Sequence, residues 1–471
     1  MSLPINVALI SIYELGRQPF SLSSPAAWLK QVGCNVTCLD LAVQTFSECR
    51  DAITSADILA FSLPMHTATR LAAGVVRKVR AVNPAAHICF YGLYAPVNEA
   101  YLRSIGGETI LGGEFEEGLV SLIKRLATDG KNENSLRMTR PGQPEPLISL
   151  CRQKFVVPDR TGLPPLYKYA QLQIAPGLMK LAGYTEASRG CKHLCRHCPI
   201  VPVYEGSFRI VQRDVVLEDI WRQVALGAQH ITFGDPDFFN GPTHALTIVE
   251  ALHWAFPDLT YDVTIKVEHL LKHREHLPRL RDTGCLFVTS AVESVDNHTL
   301  QIYEKNHTRE DFVKCVEMFH EVRLQMNPTF VIFSPWTTLE SYVELLHLLV
   351  KLDLVDNVSP VQYAIRLLIP ASSRLLELEE VQKLVGEFDQ QSLMYPWVHS
   401  DPRVDELQCN VMAAVQKGQS LHENRRQIFR RVWDLAHQAY HDFVSEHLRV
   451  ALSDQAPPRA SIPFLTEPWY C

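Results

Sequence analysis

The sequence predicts an α/β protein: an N-terminal doubly wound parallel sheet, a parallel barrel, complete or partial, of six strand–helix units, and a helical C-terminal region with an apolar tail. Three observations predict it. Apolar runs of strand length alternate with helical patterns from residue 6 to about 127, an order that builds a parallel sheet covered by helices. The alternation resumes from 176 to about 380, where it suits a parallel barrel. Between them lies a polar crossing with DGKNENS and RPGQPEP, a linker composition. The expected division is 1–127, 128–175, 176–380 and 381–471.

In the first part, strands are expected at 6–12 (NVALISI), 35–39, 58–63 (ILAFSL) and 87–91 (HICFY). Helices are expected at 24–33, which has a Ser start, an early Pro and a terminal Gly, and at 67–82 and 116–127. Ligands of such sheets bind beyond the strands' carboxyl ends, here 13–21, 64–69, 91–98 and 112–117. In the crossing, 157–170 (VPDRTGLPPLYKYA) has stiff prolines and two tyrosines, and is expected to pack as an ordered strap. Barrel strands are expected at 183–188, 231–233, 260–265, 286–290, 327–333 and 361–369, with helices between them. The C-terminal region has amphipathic stretches such as 420–441.

The first barrel strand runs into Gly190–Pro199, reading GCKHLCRHCP. Cys191, Cys195 and Cys198 have a Cys-x₃-Cys-x₂-Cys spacing that suits a soft metal centre. An iron–sulfur cubane normally takes four cysteines, so three leave one iron open to a substrate. Arg189, Lys192, His193, Arg196 and His197 surround the thiols, and positive charge there favours thiolates. Zinc is the competing reading, with His193 or His197 as fourth ligand, but no second ligand pair follows. Cys34, Cys38, Cys49, Cys89, Cys285 and Cys315 sit in apolar surroundings and read as core.

This spacing resembles that of the radical S-adenosylmethionine (SAM) enzymes, with His197 where members usually carry an aromatic. The resemblance implies a [4Fe–4S] cluster whose open iron chelates SAM, and a six-stranded partial barrel. It also implies a one-electron reductant such as flavodoxin or ferredoxin, and a small-molecule substrate. Gly234 and Asp235 (in FGDPD) match the family's Gly-Gly-Glu-like segment, whose backbone holds the SAM amino group. Glu293 and Ser294 (AVES) resemble the segment contacting ribose and methionine. Arg366, on the expected sixth strand, is a candidate to hold a carboxylate of SAM or substrate, a structural pairing being the alternative. Lys266, Glu268 and Arg209 are weaker candidates.

The front part is similar to the cobalamin-binding domain that precedes many radical SAM enzymes. The Asp-x-His-x-x-Gly sequence that supplies a cobalt ligand there is absent, and His66 is the lone strand-end histidine. The tail, RASIPFLTEPWYC, is apolar, stiff and ends on Cys471, which suggests insertion into the core or simple docking. The whole chain resembles the radical SAM proteins named for a CUAEP or CCAEP tail. That resemblance implies continuation past Cys471 with selenocysteine or cysteine, and a catalytic role for the tail thiol in capturing arsenic(III). It also implies transfer of the 3-amino-3-carboxypropyl group of SAM. A cobalamin-dependent radical SAM methyltransferase is the alternative, and a non-catalytic zinc or electron-transfer protein the alternative of another class.

Composition sets the outer bounds. The 471 residues carry a net charge of −7 and no long basic block, which argues against a nucleic-acid partner. No run reaches the ~18 apolar residues of a membrane span. The first residues, MSLPINVALISIYELG, lack a basic leader. Twelve cysteines without a secretion signal suit a reducing compartment, so a cytoplasmic location is expected.

Overall fold

The computed structural model describes residues 5–132, 144–175, 177–440 and 464–465. The front half runs β1 (Asn6–Ser11), α1 (Phe20–Gln31), β2 (Asn35–Asp40), α2 (Phe46–Ser55), β3 (Ile58–Ser62), α3 (His66–Val82) and β4 (His87–Tyr91). Two short helices, α4 (Tyr94–Val97) and α5 (Glu99–Ser104), lead to β5 (Thr109–Gly113), α6 (Phe115–Asn132) and β6 (Ile148–Ser149). The sheet is parallel, in the order β2-β1-β3-β4-β5-β6. Its order turns back at β1/β3, as in doubly wound folds. Alternate residues of its buried strands feed two apolar clusters, Leu59, Phe61 and Phe90 in one, Ile58, Ala60 and Tyr91 in the other. The expected four strands and their positions hold. β5 and β6 are additional, the former ending on two glycines and the latter only two residues long, so neither reads as an apolar run. α2 is also additional, although Thr45 and Glu48 form a complete capping box that the sequence displays.

The crossing is ordered from 144 to 175. Arg160 makes a two-pronged contact with Asp219 at 2.8 and 2.9 Å, and also donates to Gln18 and to the Tyr184 carbonyl. Tyr169 donates to Asp40 at the end of β2. The strap thereby ties the front sheet to the second one.

The second half runs β7 (Gln171–Ala175), β8 (Leu178–Thr185), β9 (Ser188–Gly190), α7 (Val201–Tyr204), β10 (Phe208–Ile210), α8 (Arg213–Ala225), β11 (His230–Phe233) and α9 (Pro242–Ala255). It continues with β12 (Thr260–Thr264), α10 (Val267–Lys272), α11 (Leu277–Asp282), β13 (Cys285–Glu293), α12 (Asn297–Ile302), α13 (Arg309–Val322), β14 (Gln325–Phe330) and α14 (Leu339–Lys351). β8, β11, β12, β13 and β14 are parallel neighbours in that order. The expected sixth barrel strand, 361–369, is not a strand. Residues Pro360–Ala364 form a 3₁₀ turn, and one parallel bridge, Phe333 to Arg366, stands in the strand's place. Pro360 has no N–H to donate, and the tight turn takes its neighbours out of register. β7 is a further departure, pairing antiparallel with β8 as a hairpin.

Three helices follow, α15 (Glu379–Leu384), α16 (Pro402–Ser420) and α17 (Arg425–Tyr440). α16 and α17 bury Val411, Val415, Phe429 and Trp433 in the barrel's own core cluster. The two-residue β15 (Phe464–Leu465) pairs antiparallel with β7 at the sheet edge. Among the described residues, no helix is long and apolar enough to cross a membrane. All six cysteines expected in the core are buried.

Candidate functional site

β9 and β10 form a short antiparallel ladder that pairs Gly190 with Phe208 and Ser188 with Ile210. The segment between them, 191–207, is therefore closed at its base, and it carries all three spaced cysteines. Gly190 has φ +74°, and a Cβ there would collide with the Tyr204 ring and the Ser207 carbonyl oxygen. Only glycine makes that turn without strain. Asn240 accepts from Lys192 N at 3.2 Å and donates to Gly190 O at 3.4 Å. Arg196 N donates to Tyr303 O at 3.0 Å, and the Arg196 guanidinium pairs with Glu304 at 2.7 Å. The Arg374 guanidinium donates to Leu194 O. The loop is thus gripped from three parts of the barrel.

Burial pushes the Cys198 thiol up to about 12, and the neighbouring sulfurs add to the rise; burial also raises Cys191. The sequence assigned the compensating charge to the loop's own basic residues, and the structure corrects this. Arg189 turns away to Glu114, Glu116 and Glu186, at 3.3, 2.7 and 2.8 Å. Lys192 lies over the Phe208 ring, and Arg196 is taken by Glu304. The cation that acts on Cys195 and Cys198 is Lys305, a residue sequence reasoning missed. Lys305 is buried, and burial lowers its pKa, but Glu293 and the two thiols outweigh that and raise it. It sits in the turn after α12, where Glu304 and Asn306 both have positive φ, and only the Asn hints at that turn in sequence.

The other strand-end candidates divide. Glu293 ends β13 at a register shift with φ +68°, an uncommon conformation for a non-glycine residue. Its Oε1 is 3.2 Å from His197 Nε2 and 3.3 Å from Lys305 Nζ. Burial would raise its pKa, but Lys305 and His197 pull it down to about 2. The His197 ring packs on Tyr303 at 4.5 Å. Glu293, His197 and the cysteine loop are therefore brought together. Ser294 Oγ accepts from Asp296 N at 3.0 Å, bracing the turn before α12. Gly234 follows β11 and packs directly under the Tyr184 hydroxyl, where a Cβ would collide. Asp235 accepts from Ala187 N at 2.9 Å and from Ser188 Oγ at 2.5 Å, so its carboxylate holds β9, the base of the cysteine loop. Arg366 is a correction: its guanidinium pairs with Asp405, donates to Trp397 O and stacks on the Trp397 ring, which commits it to the C-terminal region and not to a ligand carboxylate. Arg209 is likewise bound to Leu150 O. Cys471 lies outside the described residues.

Two cofactors can be tested against these residues. Among the described residues, donors that converge within 4.8 Å of one another are His193–Asp237–His269 and His273–Glu275–His276. The three thiols lie on one loop at the Cys-x₃-Cys-x₂-Cys spacing that suits a cluster with one open iron. Three thiols on one loop with one buried cation beside them fit a cluster. For cobalamin the one strand-end histidine is engaged: His66 Nε2 donates to Ser392 O at 2.7 Å and the ring is buried. Gly112 and Gly113, at the end of β5, are closed over by Pro96 and by Ser149. The described residues do not fit a corrinoid ligated through a histidine.

Comparison with known proteins agrees with this geometry. The family model described as Radical SAM superfamily matches residues 185–349. The hopanoid C-3 methylase of Methylococcus capsulatus is 22% identical over 296 residues, 61% of this chain and 56% of that protein. The ribosomal-protein methylthiotransferase RimO of Bacteroides thetaiotaomicron is 23% identical over 181 residues, 34% of this chain and 39% of that protein. The matches thus span about half the length of the first relative and less of the second. The fold is similar to that of the cobalamin-dependent SAM radical enzyme OxsB with aqua-cobalamin bound. That similarity has a TM-score of 0.70 at 16% identity, over 96% of this chain and 75% of that one. It is also similar to the radical SAM methyltransferase TsrM from Kitasatospora setae, with a TM-score of 0.56 at 16% identity, over 74% and 71%. Residues 185–349, from the end of the strand before the cysteine loop to the helix after the fifth parallel strand, form a radical SAM superfamily domain.

Proposed function

We propose that this chain is a radical SAM enzyme that cleaves SAM reductively and transfers a methyl group to a small-molecule acceptor, with cobalamin as a second cofactor. The observation that carries the reading is the three-thiol loop at the carboxyl ends of five parallel strands, facing the strand ends of a doubly wound sheet through the Arg189–Glu114 contact. Methyl transfer is supported by the likeness to the methyltransferase TsrM and to the hopanoid C-3 methylase, and a cobalamin-dependent radical chemistry by the likeness to OxsB.

Cys191, Cys195 and Cys198 would hold three irons of a [4Fe–4S] cluster. When bound, that cluster supplies one electron to a SAM chelated at its open iron. Lys305 offsets charge on the sulfurs and keeps Glu293 ionised. Glu293, whose Oε1 takes His197 and Lys305, presents its other oxygen beside the loop as an acceptor suited to hydroxyl and ammonium groups of a ligand. Asp235 fixes the loop's base. A bound cobalamin would supply a methyl-carrying centre, and His66, engaged by Ser392 O, would not be its ligand.

A second reading, transfer of the 3-amino-3-carboxypropyl group, is favoured by the engaged His66 and by the tail sequence. One experiment separates the two. Anaerobic turnover with a chemical reductant and added cobalamin should release 5′-deoxyadenosine and S-adenosylhomocysteine, with cobalamin retained by the protein. Methylthioadenosine, with no cobalamin retained, would replace the first reading by the second.

A further inference from the structure

A second set of donors converges beside the cysteine loop. His193 lies two residues past Cys191, Asp237 follows β11, and His269 is on α10. Asp237 Oδ2 is 2.7 Å from His269 Nδ1 and 3.4 Å from His193 Nε2. Asp237 is 1% exposed and His269 6%. These same three atoms are buried, yet none has a hydrogen bond of acceptable geometry. A buried polar atom left unsatisfied is costly, so three that face one another call for a common partner.

Each donor is also aimed from behind. Asp237 Oδ1 accepts from Phe239 N at 3.1 Å, which leaves Oδ2 for the shared space. His193 Nδ1 is 3.5 Å from Glu268 Oε2, which turns Nε2 inward, and Lys266 sits 3.2 Å from the same Glu268 oxygen. The His269 ring is flanked by His193 at 4.7 Å and His273 at 5.7 Å. Outer partners of this kind orient metal-binding imidazoles and carboxylates.

We propose that His193, Asp237 and His269 bind one divalent first-row transition-metal ion, at a site separate from the three cysteines. Two imidazoles and one carboxylate suit borderline ions such as Fe²⁺, Co²⁺ and Zn²⁺ and leave coordination positions open. The ion ties the first turn of the cysteine loop to the ends of β11 and β12, and offers its open positions to water or to a heteroatom of a small ligand. His273, Glu275 and His276 converge further out, with the His273 and His276 rings stacked at 6.0 Å, and give the ion a way in from the surface. This site does not depend on which group the enzyme transfers.

The test uses Co²⁺ as the probe on the full chain, purified anaerobically and with its cluster reconstituted. Cobalt and iron are counted separately after removal of loose metal. The expected result is one cobalt per chain with the weak visible bands of nitrogen and oxygen ligation. In Asp237→Asn and in His269→Ala, cobalt affinity should fall at least tenfold while iron per chain stays constant. No retained cobalt in the native chain, or equal retention in both variants, overturns the proposal. The native spectrum decides even where a variant fails to fold: an intense sulfur-to-cobalt band would place the ion on the cysteines and overturn it.

Discussion

Lys305 Nζ lies 3.3 Å from Glu293 Oε1, and the two are a buried ion pair whose cation also acts on Cys195 and Cys198. Removing one partner of such a pair leaves the other charged and buried, at about 3–5 kcal/mol. Lys305→Met is therefore expected to lower stability by that order. Loss of the cation also makes reduction of a cluster on these thiols harder. The midpoint potential should fall by about 50 mV or more, since 59 mV corresponds to ~1.4 kcal/mol for one electron. A redox titration followed by electron paramagnetic resonance measures this, and an unchanged potential would mean that Lys305 does not act on the cluster.

Gly190→Ala tests the turn that opens the cysteine loop. The added methyl meets the Tyr204 ring and the Ser207 carbonyl, at a φ of +74°. The expected result is a loss of about 2 kcal/mol or more and a several-fold drop in iron per chain after reconstitution. Native iron content in this variant would show that the ladder of β9 and β10 does not set the loop.

Asp235→Ala separates two roles for the segment after β11. The carboxylate receives Ala187 N and Ser188 Oγ, both buried. Without it those donors are left unpaired, and the loop base should loosen, at about 1–3 kcal/mol. Iron content should fall, and SAM affinity should fall only as iron does. A variant that keeps its iron but loses SAM binding would make Asp235 a direct ligand contact instead.

The contact between the front sheet and the loop carries a pH signature. Burial pushes Glu114 up to about 7, with Arg189 opposing and Glu116 adding to the rise. A folded-state value above the ordinary 4.5 means the proton is held more tightly in the folded chain. The stability this gives is complete below about pH 4.5 and is lost as pH rises through about 7. Glu114→Gln has no such loss. It should gain on the native chain between about pH 5 and about pH 8, by on the order of 1 kcal/mol. Thermal unfolding at the two pH values checks it, and a constant difference would contradict it.

Much of this was legible in the chain. The strands of the front sheet are short apolar runs such as ILAFS and HICFY, and the barrel's second to fifth parallel strands lie where alternation puts them, whereas the first, expected at 183–188, runs from Leu178 to Thr185, with Ser188 in the separate ladder of β9. The cysteine loop is a local pattern, readable because its spacing is its chemistry. What was hidden depends on contacts between distant segments. Arg189 and Arg196 look like cluster cations in sequence, but carboxylates from residues 114, 116 and 304 claim them. Arg366 looks like a ligand clamp until Asp405 and Trp397, from a later helix and its approach, take it. Lys305 has no sequence signal of its own, because its burial is created by the turn after α12. The sixth strand failed for a local reason, the proline and tight turn at 360–364.

Everything turns on whether three thiols hold a cluster that meets SAM at an open iron. Electron paramagnetic resonance of the reduced, reconstituted full chain, recorded with and without SAM, tests this most directly. The expected result is a four-iron signal that changes when SAM is added and disappears in Cys195→Ala. Zinc in place of iron, or a cluster signal indifferent to SAM, would contradict it.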